Sequence, residues 1–465
     1  MQERVRALND EPRRENGKYV LYWAQMNRRV SVNQALVHAV TQANELGLPV
    51  LVYEGLTCSY PFANDRLQTF VLEGVPDTVG ALGKLGIGYC FYLRRKRSDA
   101  NDVLYRVAKN AAIVVTDDYP TFIAAKHNST VPGKIGVAYH AVDASCIVPM
   151  SRIEKRQYAA YTIRPRIQKL LPEYLHPLDL PSVKHKWKDE IPPYHTEVTL
   201  ESIADLVASC DIDHSVAPST VFRGGHRVAK KRLDSFLKNK LKSYAEGRNQ
   251  PAEHATSNLS PYLHFGHISA LEIALTTREF SKEHKIGDAE YLEELIVRRE
   301  LGFNFTRFSN FESLESLPDW AQATLRKHES DERPVQFTKD QMEKAETYDD
   351  LWNATQKELL LRGKIHGYYR MYWGKKIIEW SATPEEALET MIYLHDRYAL
   401  DGRDPNTYTN VLWCFGLHDR PWFERPIFGQ VRYMSYEGMK RKTNVKAYLL
   451  EMENLERTGK ELIPA

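Results

Sequence analysis

The sequence predicts two unequal parts, an α/β domain built on a doubly wound parallel sheet and then a larger all-helical domain. Three observations carry this. Short apolar runs alternate with amphipathic stretches from residue 19 to about 150, a proline-rich stretch follows, and helical periodicity then persists almost to the end. Strand and helix signals in alternation imply βαβ units and a parallel sheet. At 465 residues the chain also exceeds what one ordinary core accommodates.

Taken in order, Tyr19-Val-Leu-Tyr-Trp23, Pro49-Val-Leu-Val-Tyr53, Tyr89-Cys-Phe-Tyr-Leu93 and Ala112-Ile-Val-Val-Thr116 are expected to be buried strands. The amphipathic segments Ser31–Leu46 and Asp99–Asn110 supply helices between them. Gly86-Ile-Gly88 precedes a strand and lacks the third glycine of a dinucleotide fingerprint, so it is a turn. Seven prolines between residues 164 and 218 predict a connector wrapped over the surface. Beyond Arg223, helices are expected over Ala229–Ala245, Asp288–Phe303, Leu351–Arg362, Tyr368–Trp380 and Pro384–Tyr398. Pro384 suits a first helical turn. The resulting boundaries are 19–150 for the α/β domain, 151–222 for the connector and 223–450 for the helical domain.

Hydrophobic content of 43 % and charged content of 27 % fit a soluble globular protein. A formal charge of +2 argues against a DNA-coating protein and confines nucleic-acid binding to local patches. The cysteines, Cys58, Cys90, Cys146, Cys210 and Cys414, form no C-x-x-C pair, which disfavours structural zinc, iron–sulfur clusters and a disulfide framework. No metal site is expected. The charged stretch Met1–Lys18 is neither signal peptide nor anchor, and no apolar run could span a bilayer, so an intracellular, cytoplasmic chain is expected.

The chemistry concentrates between Trp352 and Asp404. Trp352, Trp373 and Trp380 fall within thirty residues, and a helix places Trp373 and Trp380 on one face, roughly 10 Å apart along its axis. Arg370, Asp401 and Asp404 flank them. Such a set suits a planar, redox-active cofactor and an electron path to it. An aromatic core beside a solvated turn is the plainer alternative. Upstream, Thr256-Ser-Asn-Leu-Ser-Pro261 sets hydroxyls and free N–H groups before a helical run, where anions such as a pyrophosphate bind. Ordinary capping is the simpler account of those residues alone.

Longer motifs extend the picture. The run Lys364-Ile-His-Gly-Tyr-Tyr-Arg-Met-Tyr-Trp373, the turn Asp401-Gly-Arg-Asp-Pro405 and the segment Arg432-Tyr-Met-Ser-Tyr-Glu-Gly438 closely resemble class II cyclobutane pyrimidine dimer photolyases of the photolyase/cryptochrome family. Ser257-Asn-Leu-Ser-Pro-Tyr-Leu-His-Phe-Gly266 and Tyr158-Ala-Ala-Tyr-Thr-Ile-Arg-Pro165 are similar landmarks, and the resemblance runs from about Tyr19 to Tyr448. It implies a Rossmann-like antenna domain, an FAD-binding helical domain, light-driven repair of pyrimidine dimers in DNA, and a monomer. An antenna chromophore of deazaflavin or folate type is implied for the first domain.

By the same resemblance, Tyr244, Thr256, Ser257, Asn258, Leu259, Ser260, Arg370, Asp401, Gly402 and Asp404 hold FAD, with Arg370 paired to Asp401 and Asp404 on the ribityl or adenine side. Trp373, Trp352 and Trp380 form the photoreduction chain, which Tyr372 assists. Glu294 is the substrate carboxylate, with Glu293 as its alternative. Met371, Trp413 and Trp422 form the lesion-pocket wall and the wedge, and Arg248, Arg420, Arg432, Lys440, Arg441 and Lys442 are candidate phosphate contacts. Photolyases are an established example of base flipping, so the resemblance also implies that the dimer leaves the duplex stack. A cryptochrome-like light sensor without repair is the alternative function, and the short stretch after Tyr448 favours repair. A flavin-free DNA-binding relative is disfavoured because Arg370 and Asp401 are both present.

Four departures stand out. His395 replaces the asparagine usual beside the flavin N5, and is expected to titrate near pH 6.5 and make the flavin's redox state pH-dependent. Leu301–Phe308 and Val32-Asn-Gln-Ala-Leu36 differ from the family pattern, and one residue is missing before Leu417.

Overall fold

A computed structural model describes residues 1–461. Six strands, β1 (Val5–Ala7), β2 (Tyr19–Trp23), β3 (Val50–Thr57), β4 (Gly88–Arg94), β5 (Ala111–Asp117) and β6 (Tyr139–Val142), form one sheet in the order β1-β6-β5-β2-β3-β4. All neighbours are parallel except β1 and β6. Every residue of β2 and β5 is buried, as central strands covered on both faces require. The predicted doubly wound sheet is therefore present.

The sheet starts earlier than residue 19. β1 lies in the charged N-terminus and pairs with β6 through Val5↔Val142 and Ala7↔His140. Buried Arg4 ties this stretch down by donating to the carbonyls of Asp143 (3.1 Å) and Cys146 (2.8 Å). Two strands this short carry too little alternation to register as a pattern. The glycine turn is as expected: Gly86 (φ +72°) closes the helix Val75–Leu85 and β4 follows at Gly88.

The connector is more regular than its prolines suggest. A helix, Ala160–Tyr174, runs through Pro165 and Pro172. Both prolines are on its exposed side, where water satisfies the carbonyls left without a donor, while Ile163 and Ile167 are buried. The chain then wraps the sheet domain, with Trp187 N donating to Gly86 O (2.8 Å) and Thr196 N to Phe91 O (2.7 Å).

The remainder is helical. Asp350–Arg362, Gly367–Trp380 and Pro384–Tyr398 carry side-chain caps from Asp349, His366 and Thr383. The single helix expected over Asp288–Phe303 is instead Ala289–Leu292, a π-turn at Glu293–Arg298, and Arg299–Phe308. π-Turns widen the helix by one residue and often mark functional sites.

Arg66, 2 % exposed, stitches the two parts together. Its guanidinium donates to the carbonyls of Ala217 (3.0 Å), Leu359 (3.0 Å) and Tyr398 (2.9 Å), and also to that of Leu360. Leu359 and Leu360 lie near the end of Asp350–Arg362, and Tyr398 ends the next helix but one, so the cation serves two helix C-termini at once. Arg66→Ala should cost about 3 kcal/mol by stranding these carbonyls. The urea midpoint of the full chain checks this, and an unchanged midpoint would show that the joint is held elsewhere.

Candidate active site

Asp401 is the electrostatic centre of the helical domain. Its Oδ1 and Oδ2 lie 2.9 and 3.1 Å from Arg370 Nη2, and Oδ2 also accepts from Ser260 Oγ at 2.7 Å. Burial pushes this carboxyl up, but Arg370 and Lys364 outweigh burial and hold it below its ordinary value. The expected Arg370–Asp401 pair is present. Gly402 is fixed by space, since a Cβ there would lie 2.4 Å from the carbonyl oxygen of His395.

Around this pair are buried polar atoms with no partner among the described residues. Arg370 Nε and His395 Nε2 are the clearest. His395 is near enough for the charges of Arg370 and Asp401 to act on it. Its Nδ1 faces Met391 O at 2.9 Å, and a carbonyl can only accept, so Nδ1 carries the proton and the bare Nε2 is an acceptor. The expected cation near pH 6.5 is overturned. Burial first, then Arg370, push this imidazole down to about 3.

The phosphate-binding candidates are gathered nearby. Asn258 has a left-handed backbone (φ +54°), Thr256 Oγ1 approaches Asn258 Oδ1 at 3.3 Å, and Leu259 is buried. The helix they introduce, Ser260–His264, is only five residues long, so little helix dipole stands behind them. Tyr244 packs edge-on against Tyr291 at 5.2 Å. Asp404 is committed within the protein. Its Oδ1 accepts from Asn406 N (2.9 Å), and its Oδ2 accepts from Tyr119 OH (2.8 Å) and lies 3.4 Å from His264 Nδ1. That places Asp404 as a helix cap and a tie to the sheet domain.

The tryptophans form a row whose order the sequence does not give. Trp373 and Trp352 stack with centroids 6.2 Å apart and planes 2° apart, and Trp352 meets Trp380 at 5.4 Å. Trp352 is thus the middle ring, inserted from the neighbouring helix between two residues of Gly367–Trp380. His395 touches the inner end, 4.9 Å from Trp373. All three indoles are at most 1 % exposed, but Trp380 donates to Tyr348 OH (3.3 Å), and Tyr348 is 62 % exposed. Tyr348 was not anticipated, because a lone tyrosine before a helix carries no pattern. Tyr372 turns aside, its hydroxyl donating to Asp349.

The π-turn Glu293–Arg298 carries two carboxylates in succession. Glu293 pairs with Arg164 at 2.7 Å, and Glu294 with Arg248 at 2.5 Å. Arg248, expected on phosphate, is thus held by the expected substrate carboxylate. Met371 and Trp413 are half-buried. Arg432 stacks over Trp422 (4.3 Å) and Trp413 (5.3 Å) while bonding Asp419 at 3.0 Å, and Arg420 covers Trp422 at 5.2 Å. Lys440 pairs with Glu437 on the surface, and Arg441 is exposed.

Among the described residues no helix is long and apolar enough to cross a membrane, and no His, Cys, Asp or Glu group is arranged to hold a metal.

Unfolded histidine titrates near pH 6.5, so a folded value of about 3 for His395 means its contribution to stability is full above 6.5 and is lost as pH falls toward 3. His395→Asn should flatten the acid side of the stability curve by up to about 1.4 kcal/mol per pH unit. Urea titrations at pH 4.5 and 7 measure this; equal slopes in both proteins would mean a charged imidazole.

A family model described as DNA photolyase matches residues 20–182. A deoxyribodipyrimidine photo-lyase of Methanothermobacter thermautotrophicus is 40 % identical over 456 residues, 97 % of this chain and 98 % of the relative. The enzymes of the same name from Arabidopsis thaliana and Potorous tridactylus are 38 % and 35 % identical, covering 94 % and 96 % of this chain and 89 % and 84 % of theirs. Among solved structures, a class III photolyase from Agrobacterium tumefaciens superposes with a TM-score of 0.66 at 19 % identity, over 95 % of this chain and 87 % of that one. A Synechocystis cryptochrome gives 0.66 at 16 % identity, over 94 % and 89 %. A Sulfolobus tokodaii photolyase with two FAD molecules gives 0.66 at 15 % identity, over 94 % and 91 %.

Proposed function

The chain belongs to the deoxyribodipyrimidine photo-lyase family of enzymes, and we propose that it repairs cyclobutane pyrimidine dimers as a monomeric, class II-like member using FAD. One observation carries the reading. A buried Arg370–Asp401 pair, with Arg370 Nε and His395 Nε2 left unpartnered, stands at the inner end of an aromatic row that reaches the surface at Tyr348. Unpartnered buried polar atoms are costly unless a ligand satisfies them. A flavin, with donors and acceptors along one edge of a planar ring, fits this set. When bound, FAD supplies light absorption and a reversible one-electron donation that splits the cyclobutane ring without net redox change.

The residues supply the rest. Arg370 and Asp401, with Gly402 close-packed behind, orient the ring; Tyr244, Thr256, Ser257, Asn258, Leu259 and Ser260 take the diphosphate side. His395 presents an acceptor, so it favours a hydrogen on the ring atom it faces. Trp373, Trp352 and Trp380 carry electrons inward from Tyr348. Glu294 bonds the lesion, exchanging its Arg248 partner as DNA arrives, and Met371 and Trp413 wall the pocket. Arg420, Arg432, Lys440 and Arg441 contact phosphates, and Trp422 fills the gap left in the duplex. A cavity of about 700 Å³ beside Arg28, Ser31, Asn33 and Lys84 is roomy enough for a second pigment in the sheet domain.

The decisive experiment is the absorption spectrum of the purified protein before and after blue light, followed by repair of a thymine-dimer oligonucleotide. A flavin spectrum, bleaching and repair are expected. Glu294→Ala should keep the flavin and lose repair by roughly tenfold or more, as removal of one transition-state hydrogen bond does. Photoreduction without repair in the parent would identify a light sensor instead.

The electron path has its own test. Trp352→Phe should slow photoreduction by at least tenfold, because the middle ring is lost, while repair by chemically reduced protein persists. Tyr348→Ala should slow it less, since water then reaches Trp380 more closely. Unchanged photoreduction in Trp352→Phe would leave the three tryptophans as packing residues.

A further inference from the structure

Two large aromatic side chains stand exposed at the start of the helix Ala160–Tyr174, and nothing in the reading above uses them. Tyr158 is 45 % exposed and Tyr161 65 %, with ring centroids 6.4 Å apart at 61°. Exposed aromatics clustered on a protein surface mark a contact site. Tyr158 is held in place. Trp320 Nε1 donates to Tyr158 OH at 3.3 Å, and His418 Nδ1 bonds the Tyr158 carbonyl at 2.5 Å. No hydrogen bond engages the Tyr161 hydroxyl among the described residues.

Their position is defined by neighbours on both sides. Arg164, one turn along the same helix, grips Glu293 next to Glu294. His418 adjoins Asp419, the partner of Arg432, and Trp320 packs against Gly416. The tyrosines therefore occupy the rim between the π-turn and the Trp422 hairpin. Exposed Lys155 and Arg156 precede them in the chain, and exposed Arg166 follows on the same helix. The opposite flank is different. There Arg248, Lys440, Arg441 and Lys442 cluster, joined by Gln250 Nε2 to Lys442 O at 2.9 Å. Cations without aromatic neighbours suit phosphates, whereas aromatics beside cations suit stacked, unpaired bases.

We propose that Tyr158 and Tyr161 receive the strand opposite the lesion, stacking on bases left without partners when the dimer leaves the duplex. The inference rests on the repair reading, and the substrate is DNA in both. Stacking is sequence-tolerant, as it must be opposite any lesion context.

The test compares binding of a dimer-containing duplex and the same dimer in a single strand, using flavin-loaded protein. Tyr158→Ala/Tyr161→Ala should weaken duplex binding about tenfold or more, the loss typical of removing base–aromatic stacking, and leave single-strand binding and flavin content unchanged. Tyr161→Ala alone, which touches no buried contact, guards against misfolding of the pair and should show part of the same selective loss. Equal weakening on both substrates, or none on either, overturns the proposal. Failure of the parent to bind either dimer substrate would instead overturn the repair reading beneath it.

Discussion

Two carboxylates buried three residues apart, Asp401 and Asp404, dictate how the helical domain closes. Each needs cationic or donor partners from outside its own turn, because an unpaired buried charge costs several kcal/mol. Asp401 takes Arg370 and Ser260, and Asp404 takes Tyr119 and His264. Tyr119 follows β5, and the next hydroxyl along, Thr121, donates to Arg403 O at 3.0 Å. Arg403 turns back on the preceding helix, with its backbone N–H on Asp396 and a guanidinium nitrogen on Ala399 O. One short turn thus ties the sheet domain, three helices and the candidate cofactor pocket together. Moving any one of them would break the others' pairing.

The aromatic row shows the same economy on a different scale. Trp352, Trp373 and Trp380 are fully buried, so each indole N–H must find an acceptor. Trp352 donates to Trp373 O (3.0 Å), Trp373 to Gln356 (2.9 Å), and Trp380 to Tyr348. These bonds fix ring order and tilt as well as satisfying polarity. A row held this rigidly has constant ring separations, which a short-range electron path requires. It is also simply the core of this domain, and the two roles do not compete.

Much of the fold was legible. Buried central strands read as unbroken apolar runs, and Pro384 marked its helix start to the residue. Strands β1 and β6 were not, because three or four residues cannot display a period, and β1 is held by Arg4 and by its pairing with β6. The helix through Pro165 and Pro172 was hidden for the opposite reason. Local propensity spoke against it and burial of Ile163 and Ile167 overrode it. At the site, long motifs located Arg370, Asp401 and the tryptophans. What escaped depends on three-dimensional neighbours: Tyr348 at the end of the row, the engagement of Asp404 by Tyr119, and the neutrality of His395. Composition can name a histidine but not its solvent, and solvent decides its charge.

The mouth of the site carries a consequence of its own pairing. Arg248, Arg164 and Arg432 each face a carboxylate, at Glu294, Glu293 and Asp419. With 63 Lys and Arg against 61 Asp and Glu, the chain has little net positive charge to draw a duplex toward it. A phosphate arriving at Arg248 must displace Glu294, so its Coulomb gain is offset by the pair it breaks. On the proposed reading, the released carboxylate would then be free to bond the lesion. Undamaged DNA offers no such bond and recovers nothing for the broken pair. On that reading, ion pairing at these three carboxylates would lower affinity for all DNA while widening the gap between damaged and intact sites, giving selectivity without a strongly basic surface.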